Sequence, residues 1–255
     1  MPRLFSHKSV LIFLAAALLG LTVFCAAGTQ AQEGVRYTET EKIGFAFHKL
    51  AGFDPDFESW IYNSETYKNA APAEKVNYLR NEVYRLQNGY YNYMPDQDLI
   101  SLELPGKIYS LKGFKAAKDA VPTNIKISFD DIQDNYLAFP VGDLWVAIVI
   151  KDLEKMTNLA LNAEDYAGFA TALSPQNVYI KNYDVRIVVK LRPLSVDTNA
   201  PIEMGGLEMW LMLAEIGSMD VEIEARDGMR HLWDYNAPWY VSDRQQEWLL
   251  LYQAK

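Results

Sequence analysis

The chain has 255 residues, a formal net charge of −9 and one cysteine, Cys25. Half of its residues are hydrophobic, which suits a folded core and excludes a disordered polyelectrolyte. An acidic chain repels nucleic acid and anionic lipid, both of which recruit basic patches, so no nucleic-acid partner is expected.

Arg3 and Lys8 precede an apolar run from Val10 to Phe24, followed by Ala26, Ala27 and Gly28 and then Thr29-Gln30-Ala31. This is the layout of a secretory signal peptide, with cleavage expected after Ala31 and a periplasmic or secreted product. A retained anchor is the alternative, because Val10 to Gly28 carries no charge and reaches the roughly 20 residues that span a bilayer. Only in that case is a membrane contact expected. Phe24 stands where a lipid-attachment site on Cys25 would need a small residue, so lipidation is not expected. Residues 32–255 then hold no thiol, which removes disulfides, a thiolate nucleophile and cysteine-ligated metal. They are expected to form one domain, with a helical subdomain ending near Met94.

Thr38-x-x-Glu41 reads as a capping box before Ile43, Ala46, Phe47 and Leu50 at helical spacing, and Gly52 ends that helix. Asp54 is expected to cap a second helix, with Pro55 at its first position and Phe57, Trp60, Ile61, Ser64 and Tyr67 on one face. Pro72 opens a third, with a stripe of Val76, Leu79, Val83, Leu86 and Tyr90.

After Pro95 the period changes. Ile100, Leu102 and Leu104 alternate with polar residues until Pro105-Gly106, and Ile125, Ile127 and Phe129 do the same. Tyr136 to Phe139 reads as a short strand ended by Pro140. Leu144 to Ile150 is apolar on both alternating faces, which predicts a strand covered on both sides near the middle of a sheet. Asn162 starts an expected helix closed by Pro175. Val185 to Leu191, Leu207 to Leu213 and Met219 to Ala225 read as strands, the last two separated by Gly217-Ser218. Asp227-Gly228 reads as a two-residue hairpin turn with a return strand from Met229 to Trp233. Ser242 is expected to cap a last helix carrying Gln245, Trp248, Leu249 and Tyr252. The element order predicts an α+β fold: a mainly antiparallel sheet, an N-terminal group of three helices, and helices packed on one face.

The chemistry is sparse. His48 and His231 are the histidines beyond the signal segment, and no Gly-x-Ser-x-Gly elbow or glycine-rich phosphate loop is present. His48, among Ala46, Phe47 and Leu50, reads as a helix-border residue. With Asp227-Gly228 as the turn, Arg226 would face Met229 and Glu224 would face His231, a cross-strand pair able to relay protons or simply to bridge. Glu224 and His231 are therefore the weak catalytic candidates. His231 and Asp234 should point to opposite faces of a strand. The acid clusters Asp130, Asp131, Asp134 and Asp54, Asp56, Glu58 lack calcium-loop spacing. No metal and no cofactor are expected. Trp233, Tyr235, Trp239 and Tyr240 are the binding candidates, since exposed rings stack on sugars or clamp peptides; the competing reading is that they seal a sheet edge. The stretch from Gln87 to Tyr93, with Tyr90, Tyr91 and Tyr93, poses the same choice. The expected function is an exported, non-enzymatic bacterial envelope protein binding a protein or glycan partner through an aromatic surface. The alternative is an exported carboxylate-dependent hydrolase.

Overall fold

A computed structural model describes residues 37–110, 124–130, 132, 136–160, 182–225 and 228–242. The expected signal segment, the helix expected from Asn162, the helix expected after Ser242, and residues 226–227, Asp131 and Asp134 lie outside these described residues.

Helix α1 spans Glu39–Ala51. Its capping box forms as the sequence predicts: Glu41 N–H donates to the Thr38 hydroxyl at 3.2 Å, and Thr38 N–H donates to the Glu41 carboxylate at 2.8 Å. Gly52 closes the helix in the left-handed region at φ +77°, where a side chain would be strained. The second helix differs from expectation. Asp56, not Asp54, caps α2 (Phe57–Asn63). The Ser64 hydroxyl then donates to Ile61 O and accepts from Tyr67 N–H, ending α2 and capping α3 (Glu65–Asn69). One serine thus serves both helix ends, and the expected single helix divides in two. Helix α4 runs from Pro72 to Asn92 with Pro at its start. Leu79, Val83, Leu86 and Tyr90 pack inward, but Val76, expected on that stripe, is 74% exposed.

Nine strands follow among the described residues: β1 Ile100–Ser110, β2 Asn124–Phe129, β3 Tyr136–Val141, β4 Leu144–Ile150, β5 Asn158–Ala160, β6 Asn182–Val196, β7 Ile202–Met204, β8 Leu207–Ala225 and β9 Gly228–Asn236. A short helix, α5 (Leu153–Met156), lies between β4 and β5. The strand order is β3-β4-β8-β6-β1-β2-β5, with β7 and β9 also on β8. The fold is α+β, but the sheet is mixed and curls only halfway toward a barrel, rather than being mainly antiparallel beside three N-terminal helices. The reason is β4. It runs parallel to β8, pairing Val146 with Trp210 through Ile150 with Ala214. Antiparallel partners flank this pair: β3 on β4, and β6 on the opposite edge of β8. Two-sided burial of β4 agrees with parallel pairing, since Val146, Ala147 and Ile148 are all fully buried. The strand sits one place in from the edge of the order, not at its middle.

Strand β8 is the true organiser. Its first half takes β4, its second half takes β9 on the same edge, and β6 runs along the other. Gly217 does not end it as expected. Lys190 pairs with Ser218 and Leu191 with Ile216, so Gly217 is accommodated as the extra residue of a bulge. Strand β1 likewise continues through Pro105-Gly106. Pairing with β2 begins only at Gly106, so Pro105 needs no donor on that side, while its carbonyl accepts from Asp130 N–H.

The sheet contributes Ile100, Ile108, Ile148, Ile187, Leu191, Met212, Met219 and Val221 to the core, all fully buried. From α1, Phe45 stacks on Trp60 at 5.8 Å and meets Tyr37, Phe57, Tyr90 and Tyr93 within 6.4 Å. Arg85 of α4 bridges to Glu41 at 2.5 Å and Glu82 at 2.8 Å, tying the capping box of α1 to α4.

Candidate functional site

The hairpin β8–β9 carries the sequence-predicted candidates, and its register differs from the expected one. Ala225 pairs with Gly228, Glu224 with Met229 and Glu222 with His231. Glu224 therefore does not face His231. Ala225 and Gly228 already pair, so the ladder ends one residue earlier than a turn at Asp227-Gly228 would set it. Glu222 is itself held by Arg186, at 2.5 Å, and Arg186 reaches Glu103 at 3.4 Å. Glu224 instead lines a cleft of about 440 Å³ with Arg186, Asp184, Glu103 and Met229.

A second irregularity reshapes the return strand. Val221 pairs with Trp233 and Glu222 with His231, leaving Leu232 as the extra residue of a bulge. The alternation slips by one, and His231 and Asp234, expected on opposite faces, meet at 3.2 Å. Asn236 donates to the other Asp234 oxygen at 3.0 Å. Asp234 faces Asp220 directly across the ladder. Burial lifts the Asp220 carboxyl above the ordinary aspartate range, and Asp234 and Glu222 add to that, while His231 and Lys190 oppose it. Sequence reasoning missed Asp220, and set Asp234 on the face away from His231, because a bulge is a cross-strand event with no local signature. Among the described residues, no group of three or more His, Cys, Asp or Glu is placed to hold a metal. Asp56 is used as a helix cap and Asp130 pairs with Lys107 at 3.2 Å.

The raised Asp220 carboxyl gives a signed expectation. Between the unfolded value and the higher folded one, the native state holds a proton that the unfolded chain has released, so stability falls as pH rises through that window. Asp220→Asn is expected to raise the melting temperature at pH 7, with the gain vanishing toward pH 3. The gain is capped at about 2–4 °C, the effect of about 1 kcal/mol in a domain of this size, because the group is partly exposed and screened. A gain that persists at pH 3 would show that charge is not its origin.

The four aromatic candidates separate into two pairs. Trp233 and Tyr235 stack at 6.5 Å with an interplanar angle of 19°, half-buried against the core; they face Val221 and Met219 across the ladder. The chain then leaves the strand, with Ala237 N–H donating to Gly217 O. Trp239 and Tyr240 fold back over the other face. The Arg192 guanidinium lies 3.7 Å from the Trp239 ring centre, and Lys190 lies 5.7 Å from that of Tyr240. Lys190 and Arg192 alternate with the buried Val189 and Leu191, which places these rings opposite the core. Arg192 is fixed in turn by Glu215, with Nε donating at 2.8 Å. Gly217 lies beneath: a Cβ there would press on both rings.

No protein-family model, curated protein or solved structure matches this chain.

Two further clefts border the helices. One, of about 600 Å³, is lined by Tyr37, Lys42, Asn92, Tyr93, Asp98 and Lys190 among others. The Tyr93 hydroxyl is buried without a partner, and burial drives its pKa upward, so it stays protonated. The other, of about 460 Å³, lies between α1, α2, α4 and the β3–β4 turn, with Arg85 and Glu82 in its wall. His48, read as a helix-border residue, is buried. Its Nδ1 lies 3.3 Å from Phe53 O, and burial lowers its pKa, which keeps the ring neutral. In the stretch from Gln87 to Tyr93, Tyr90 and Tyr93 go to the core and Tyr91 stays 69% exposed.

Proposed function

We propose that this is an exported, non-enzymatic protein of a bacterial envelope that binds a protein or glycan partner through the aromatic surface at Trp239 and Tyr240. The observation that carries the reading is the support beneath Trp239. Its ring lies on Arg192, which is itself anchored to Glu215, so a half-buried indole is held in place before any ligand arrives. Preorganised rings lose little side-chain freedom on binding, which is what an aromatic contact surface needs. Export rests on the leader-like segment ending at Ala31.

Two measurements test the reading. Protein recovered from a fractionated bacterial culture is expected in the exported fraction with Gln32 as its first residue; a cytoplasmic product retaining Met1 would sink the export half. In co-sedimentation with washed envelope, Trp239→Ala together with Tyr240→Ala is expected to weaken retention about tenfold, equivalent to about 1.4 kcal/mol, with an unchanged circular dichroism spectrum. Undiminished retention would remove the aromatic surface from the account.

The competing reading, a carboxylate-dependent hydrolase, draws on Asp220. Its raised carboxyl, the facing Asp234 and the adjacent His231 give one group suited to donate a proton and another suited to accept one.

A further inference from the structure

The exposed side of α4 carries an arrangement that the core does not use. At about 100° per residue, Asn77, Asn81, Asn88 and Asn92 fall within about 60° of one another on the helix surface, with Tyr84 and Tyr91 immediately alongside. Tyr84 is 74% exposed. Arg80 and Gln87, also exposed, flank the tyrosines. Glu82 is the only acid between Asn77 and Asn92, and it is turned to Arg85 at 2.8 Å. The ladder is about 22 Å long at about 1.5 Å per residue. Its last rung, Asn92, lines the 600 Å³ cleft.

This face costs the helix more than it returns. Asparagine is a poor helix former because its side chain competes for backbone hydrogen bonds. The Asn81 side chain has no hydrogen-bond partner among the described residues. Asn77 accepts from Arg80, and Asn92 donates to Asn88, all at the exposed surface. A row of carboxamides beside two tyrosine rings has the chemistry of sugar recognition. Each amide offers in-plane donors and an acceptor to hydroxyls, and each ring offers an apolar face to C–H groups. An anionic ligand would call for more cations than Arg80 and, at the Tyr91 end, Lys49, which already donates to Tyr91 O at 3.4 Å, and a cationic one for carboxylates on the face. A protein partner would call for an apolar centre, yet Val76 lies at the far end.

The geometry points to the Asn77–Asn92 face of α4 as a docking site for an uncharged glycan chain. The assignment rests on reading the protein as a binding protein, but on a surface separate from Trp239 and Tyr240.

The test titrates fluorescent chitin and cellulose oligosaccharides against the full chain by anisotropy. Wild type is expected to bind at least one, and the one preferred reports whether an acetamido group is read. Asn81→Ala with Asn88→Ala, and separately Tyr84→Ala with Tyr91→Ala, are each expected to weaken binding about tenfold or more. The asparagine variant is expected to melt at the same or a higher temperature, since alanine favours the helix. A structural role for the ladder would lower it. Failure of wild type to bind either sugar, unchanged affinity in both variants, or self-association that the same substitutions abolish would overturn the assignment. Trp239→Ala is expected to keep oligosaccharide affinity. Should it alone abolish binding, the ladder falls while the aromatic surface stands.

Discussion

Trp60→Ala is expected to destabilise the protein by about 3 kcal/mol, in the range for removing a large aromatic side chain from packed surroundings. The indole stacks on Phe45 at 5.8 Å, meets Phe57 edge-on at 5.3 Å and reaches His48 at 5.8 Å. Two glycines shape its slot. A Cβ on Gly44 of α1 or on Gly142 of the β3–β4 turn would overlap the ring, and Gly142 also sits at φ +63°. Trp60 therefore joins α2, α1 and the edge hairpin through one side chain. Gly44→Val is expected to be similarly damaging, for the opposite reason: overpacking instead of a void. Denaturant melts of both variants check this. A cost below about 1 kcal/mol for Trp60→Ala would mean that the hairpin docks without it.

How much of this was legible follows from how local each cause is. Helix α1 is announced within fifteen residues by Thr38, Glu41, the apolar spacing and Gly52, and it forms as read. The break at Ser64 is also local, but a serine in a helical pattern is compatible with either a continuous helix or a cap, and the hydrogen bonds decide. The sheet is less legible. Pro105 and Gly106 look like a strand end until β2 is seen to begin pairing only at Gly106. The parallel pairing of β4 with β8 joins residues some sixty positions apart, and no periodicity reports strand direction. The hairpin candidates fared worst for the same reason. Glu224 and His231 depended on a register that the early closure of the hairpin shifts, and the bulge at Leu232 then brings His231 to Asp234. The aromatic cluster was visible in composition, but its division between the two faces was not. That division arises where Ala237 bonds back to Gly217 and the chain crosses over. The asparagine ladder of α4 was present in the sequence at spacings of four, seven and four; it needed the helix limits and exposures to become a surface.

Ile148→Ala is the other large effect expected, at about 3–4 kcal/mol. Ile148 is fully buried, lies beside Met212 in the parallel ladder and opposite Leu137 of β3, and belongs to the main apolar cluster with Val146 and Ile150. Its neighbours are strands with their own hydrogen-bond ladders, so the space left by the lost side chain cannot close by a simple shift, and the cavity adds to the transfer cost. Val149, next in the chain, points to the opposite face and is half-buried. Val149→Ala is expected to cost only about 1 kcal/mol, a smaller side chain leaving a partly open site. The contrast between adjacent positions is the informative quantity, because backbone and β-propensity effects nearly cancel between two β-branched residues of one strand. Equal costs at the two sites, measured by urea unfolding with unchanged m-values, would contradict the assignment of Ile148 to the core side of β4 and of Val149 to the opposite face.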